Sequence, residues 1–178
     1  MSQLVLRNRQ RTRRINLRQL RQIIHCLLTE FAGTGDHELC VHLVSPQSMT
    51  ELNERFLGHS GPTDVITFNN SEEAMTLTEW MDPALVGPAQ NTTGSSALRG
   101  EIFICIRVAL DQARRFGTTW QSEVVRYAIH GLLHLRGYDD RHPAARRKMK
   151  TVENRWLRQL AGRFDFKKLA TASGPGYS

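Results

Sequence analysis

The segment Glu101-Ile102-Phe103-Ile104-Cys105-Ile106 is an almost continuous apolar run. Such a run reads as a strand at the centre of a sheet, which other layers must cover. Three helices are predicted after it, from about Val108 to Phe116, from Trp120 to about Leu135, and from Pro143 to about Leu160. Gly117 and Gly137 stop the first two, and Thr118 with Gln121 reads as a capping box opening the second. Earlier in the chain, Leu4-Val5-Leu6 reads as an edge strand, Leu39 to Val44 as a strand, and Asp64 to Phe68 as another. Leu17, Leu20, Ile24, Leu27, Leu28 and Phe31 recur at helical spacing behind Asn16 as N-cap, with Gly33 as a stop. Ser45-Pro46 has the N-cap and first-turn chemistry of a helix that packs through Met49, Leu52 and Phe56 and stops at Gly58. Residues 69 to 99, rich in Asn, Thr, Ser, Pro and Gly, read as a long surface loop.

Composition narrows the class. With 40% hydrophobic and 23% charged residues, a chain of 178 residues can bury a real core without disulfides. One domain is predicted over residues 1–161, with a disordered tail at 162–178. The formal charge is +7, from 24 Lys+Arg against 17 Asp+Glu, and all but Lys148, Lys150, Lys167 and Lys168 of the basic residues are arginines. Arginine binds phosphate oxygens bidentately and stacks on bases, which suits a nucleic-acid partner, although genomic base composition produces the same bias. Seven arginines precede Glu30, but Arg18 and Arg21 interrupt the segment that a signal peptide would need apolar. No apolar stretch is long enough to span a bilayer, and three widely spaced cysteines (Cys26, Cys40, Cys105) fit a reducing compartment, so the cytoplasm and no membrane partner are expected.

The chemistry concentrates in His130-Gly131-Leu132-Leu133-His134-Leu135-Arg136-Gly137-Tyr138-Asp139-Asp140-Arg141-His142. Residues four apart on a helix share a face, so His130 and His134 can offer imidazole nitrogens to one ion. Gly137 lets the chain turn back, and Asp140 can then supply a third ligand, with His142 as its rival. Two imidazoles and a carboxylate favour zinc with an open water position, and nickel, manganese or iron also suit the set. Gly131 stands where zinc peptidases carry a general-base glutamate, so proteolysis by that route is disfavoured.

Pro62-Thr63-Asp64-Val65-Ile66-Thr67-Phe68, then Gly100-Glu101-Ile102-Phe103-Ile104, then the histidine segment and Met149 together resemble the YbeY family over roughly residues 38 to 157; Asn8-Arg9-Gln10 fits as well. The resemblance implies an α+β fold, a small mixed sheet of about four strands flanked by about five helices, with one Zn2+ per chain at the end of a helix. It implies a metal-dependent endoribonuclease that acts on single-stranded RNA in maturation of the 3′ end of small-subunit ribosomal RNA and in ribosome quality control. Its partners would be ribosomal RNA, the small ribosomal subunit and that subunit's assembly factors. His130, His134 and Asp140 would act catalytically through the metal, with Arg55, His59, Arg99 and Arg136 as candidate RNA-binding residues. Three positions depart from the family pattern: Asp140 replaces a histidine, Leu57 an arginine, and Glu101 an aspartate. The loss of the arginine keeps a second reading open, a non-catalytic RNA-binding assembly factor with a structural metal.

Overall fold

The computed structural model describes residues 2–32, 36–70 and 98–171. Its elements in chain order are β1 (Gln3–Asn8), α1 (Leu17–Ala32), β2 (His37–Val44), α2 (Pro46–Leu52), β3 (Val65–Asn69), β4 (Leu98–Cys105), α3 (Ile106–Phe116), α4 (Trp120–Leu135) and α5 (Pro143–Arg163). The four strands form one mixed sheet in the order β1-β2-β4-β3, parallel except for the β3–β4 pair. With five α-helices around this sheet, the α+β class expected from the sequence is the one observed. β4 lies between β2 and β3, as its apolar run requires, and β1 is an edge strand, with β3 at the other edge.

Alternation along the strands assigns the two faces. Leu39, Val41 and Leu43 of β2 and Ile102 and Ile104 of β4 point into the main core, where Leu20, Ile24, Leu27 and Leu28 of α1 and the apolar length of α4 cover them. Each such large aliphatic side chain contributes about 1.5–3 kcal/mol on full burial. The opposite face holds a smaller cluster of Val44, Met49, Ile66 and Cys105 under α2. The rest of that face, around Cys40, His42 and Glu101, is left to polar side chains.

Local chemistry explains most boundaries. Asn16 Oδ1 accepts from the backbone N–H of Gln19 at 3.1 Å, Ser45 Oγ accepts from that of Ser48, and Pro46 occupies the first turn of α2. α2 continues through a π-helical turn (Asn53–Leu57) and ends at Gly58, whose φ is +67°. Several expectations need correction. β4 starts at Leu98, three residues before its apolar run, because pairing with His37 and Glu38 of β2 extends the ladder. Ile106 opens α3 instead of closing the strand, since its side chain is fully buried beneath that helix. The N-cap of α4 is Thr119, which accepts from Ser122 N–H, because the hydroxyl of Thr118 is committed to Glu123 at 2.6 Å. The predicted tail begins too early: α5 runs through Gly162 to Arg163, and a 3-10 turn (Phe166–Leu169) buries Leu169 in the core. Residues 172–178, the Gly33 stop and most of the predicted loop lie outside the described residues. Among the described helices none is long and apolar enough to cross a membrane.

Candidate metal centre

α4 is buried nearly all round, so its two histidines emerge only where its last turns leave the core. The spacing of four places both rings on one side, with Nε2 of His130 and Nε2 of His134 facing each other at 3.0 Å. The helix then ends in a Schellman motif: Gly137 N–H donates to His134 C=O at 2.9 Å and Tyr138 N–H to Leu133 C=O at 3.0 Å, with Gly137 at φ +83°. This reversal returns Asp140 to the pair, its Oδ2 being 3.8 Å from His130 Nε2 and 3.9 Å from His134 Nε2. His142 is not part of this group; it occupies the N-cap position of α5 without making a side-chain capping bond.

The outer nitrogens decide what the inner ones can do. His134 Nδ1 lies 3.0 Å from the carbonyl oxygen of Tyr138, and His130 Nδ1 lies 3.1 Å from Oε2 of Glu153 on α5. Both partners only accept, so each Nδ1 donates and Nε2 is the nitrogen left to face an ion. Burial, then the nearby His130 ring, lowers the pKa of His134 below its ordinary value and favours its neutral form. Two Nε2 atoms 3.0 Å apart beside a carboxylate make a place for a shared proton or a cation. Ligands about 2.0–2.1 Å from a tetrahedral zinc would be roughly 3.3 Å apart, so the side chains present fit a zinc-sized ion after small rotations.

Glu153 is itself held. Burial alone would raise its pKa, but its bonds to His130 and to Arg126 (Nη1 to Oε1, 2.6 Å) outweigh that and keep it below the usual value. Arg126 is fixed in turn by Asn154 at 2.8 Å and lies 3.7 Å from Glu123. A carboxylate behind a ligating histidine fixes its tautomer and raises its basicity. Sequence reading passed over Glu153 and Arg126. The available signal was an acid at position 153 on the same helical face as the buried Met149.

A cavity of about 560 Å³ opens beside His130 and Asp140, lined also by Arg115, Arg126, Arg146 and Lys150. Asp64, Glu123 and Glu153 line it too, so the wall is of mixed charge, and Arg115, Arg146 and Lys150 are its cations suited to a phosphodiester backbone. None of the four candidate RNA-binding residues singled out in the sequence lines this cavity. Arg55 lies over the Phe56 ring at 5.4 Å, and Arg99 lies 3.9 Å from Glu38, both against other cavities on the polar sheet face. His59 and Arg136 are exposed.

The family model described as endoribonuclease YbeY matches residues 5–161. The chain belongs to the YbeY family. Relatives named endoribonuclease YbeY include one from Salinibacter ruber, 31% identical over 82% of this chain and 84% of its own length. Another, from Salinispora tropica, is 37% identical over 67% of this chain and 72% of its own length. The fold is also that of a solution structure from Thermotoga maritima, with a TM-score of 0.58 at 24% identity, covering 99% of this chain and 100% of that one. Proteins bearing the YbeY name are endoribonucleases, hydrolases that cleave RNA.

At Gly131 a Cβ would lie 2.9 Å from two side-chain carbons of Ile102, so α4 packs closely on β4 just after His130 and any side chain there would force Ile102 to shift. Leu57, which the resemblance set against an arginine, is 47% exposed at the end of the π turn.

Proposed function

We propose that this chain is a metal-dependent, single-strand-specific endoribonuclease that matures small-subunit ribosomal RNA at its 3′ end and serves ribosome quality control in the cytoplasm. The observation that carries the reading is the convergence of His130 Nε2, His134 Nε2 and the Asp140 carboxylate beside a cavity that Arg115, Arg146 and Lys150 help to line, in a YbeY chain. His130, His134 and Asp140 would hold one zinc ion. When bound, zinc supplies a Lewis acid for a phosphate oxygen and lowers the pKa of a water molecule. Glu153 and the Tyr138 carbonyl hold the two imidazoles in the ligating tautomer. Arg115, Arg146 and Lys150 grip the RNA backbone, with Arg55, His59, Arg99 and Arg136 available to more distant nucleotides. Binding should therefore weaken steeply as salt rises.

Zinc-loaded protein incubated with single-stranded RNA should cleave it, chelator should abolish cleavage, and His134→Ala should be inactive. Zinc content should fall in Asp140→Ala and hold in His142→Ala; the reverse result would transfer the third ligand to His142. The exposed Leu57 favours a second reading, a non-catalytic RNA-binding assembly factor on the small ribosomal subunit with a structural metal. Chelator-sensitive RNA binding without cleavage would select it.

A further inference from the structure

The polar face of the sheet carries a second constellation with ligand chemistry. Cys40 and His42 are two residues apart on β2 and therefore share a face, and Glu101 of β4 lies directly opposite Cys40 in the parallel ladder. A thiol sulfur, an imidazole nitrogen and a carboxylate oxygen from these three side chains lie within 4.8 Å of one another. The strands supply this arrangement without any loop, so little ordering is needed to use it. The His42 ring is fixed further by stacking on Phe103, with centroids 4.2 Å apart and planes 5° from parallel.

His42 supplies the independent observation. The residue is only 4% exposed, its Nε2 is 2.6 Å from Oε2 of Glu101, and its buried Nδ1 has no hydrogen-bond partner among the described residues. A cation taken between Nε2 and Oε2 of Glu101 would leave the ring proton on Nδ1, and the thiol is on the same face to complete the set.

We propose that Cys40, His42 and Glu101 form a second metal site, for a borderline divalent ion of the zinc and cobalt class. Thiolate and imidazole select such an ion over magnesium or calcium, which prefer all-oxygen shells. Arg7 lies across the ladder from His42 and Arg9 is close by, so an ion held by charge alone is disfavoured and one bonded to sulfur is not. Metal binding would release the thiol proton of Cys40. A cavity of about 430 Å³ bordered by Cys40, Glu101, Arg7 and Asn70 gives the ion an open side. The bound ion would clamp β2 to β4 on the face opposite α4 and stabilise the fold by mass action.

Cobalt distinguishes this site from the one on α4, because only this site offers sulfur. Full-length protein loaded with Co2+ should show a thiolate-to-cobalt charge-transfer band in the near ultraviolet. The band should vanish in Cys40→Ser and in His42→Gln and persist in His130→Ala/His134→Ala. Cys40→Ser should lose one ion per chain while retaining its circular dichroism spectrum, which keeps the test valid if the double variant does not fold. Absence of the band from the unaltered protein, or its survival in Cys40→Ser with Cys26 or Cys105 as the source, would overturn the site. Neither result touches the reading of the α4 histidines.

Discussion

His130 and Glu153 meet across the contact between α4 and α5, Nδ1 to Oε2 at 3.1 Å, and the same carboxylate receives Arg126 at 2.6 Å through its other oxygen. One buried acid thus ties the inner ligand histidine to the C-terminal helix, and the tautomer of His130 depends on a residue 23 positions away. Replacing the carboxylate by an amide keeps the shape and removes the charge that raises ligand basicity. Glu153→Gln should weaken zinc binding by about 10–100-fold. A competitive chelator titration, with circular dichroism to verify the fold, checks this; unchanged affinity would mean that Glu153 only joins the helices.

The approach of α4 to the sheet is set by two glycines. At Gly131 a Cβ would press on the Ile102 side chain, whereas at Gly100 it would lie 2.6 Å from the backbone carbonyl oxygen of Phe68 and 2.5 Å from a Leu135 methyl. A side chain can adjust more readily than a strand backbone. Gly131→Ala should cost about 1–3 kcal/mol and Gly100→Ala more, measured by urea unfolding. Equal stability of both variants with the parent would contradict the close packing.

Tyr127 is buried on α4, and its hydroxyl has no hydrogen-bond partner among the described residues. Burial, with Asp64 and Glu123 nearby, raises its pKa well above the ordinary tyrosine value. An unpaired buried hydroxyl carries a desolvation penalty that phenylalanine lacks. Tyr127→Phe should therefore be as stable as the parent or more stable by up to about 1 kcal/mol. A clear loss of thermal stability would reveal a partner for that oxygen.

His37, buried at the start of β2, has its pKa lowered below the ordinary histidine value, chiefly by burial and further by the charge of His25. A group with a depressed folded pKa contributes its full stability above the unfolded pKa. As pH falls from about 6.5 towards the folded value, the unfolded chain binds a proton that the native state refuses, and this stability is lost. Between about pH 7.5 and pH 5.5 the urea midpoint of the parent should therefore fall more than that of His37→Gln. Parallel curves would assign the acid sensitivity to other groups.

Local rules made much of the chain legible. The spacing of His130 and His134, the αL stop at Gly137, the caps at Asn16 and Ser45 and the central position of the Ile102–Ile104 strand all follow from helical and strand periodicity. They depend on neighbours within a few residues, so the order of residues is sufficient. Where two adjacent residues could do the same local task, as with Thr118 and Thr119, sequence alone did not choose; a tertiary bond to Glu123 did.

What only the tertiary structure decided are the partnerships between elements. Arg126 meets Glu153 because α4 packs on α5, Asp140 approaches the histidines where His142 does not, and the cavity beside them draws its basic residues from α3, α4 and α5. Cys40 and Glu101, 61 residues apart, become neighbours because β4 inserts between β2 and β3. Periodicity specifies which face of each element a side chain occupies. Which faces then meet is fixed by burying the apolar sides of all the elements at once, a condition that no local stretch of sequence contains.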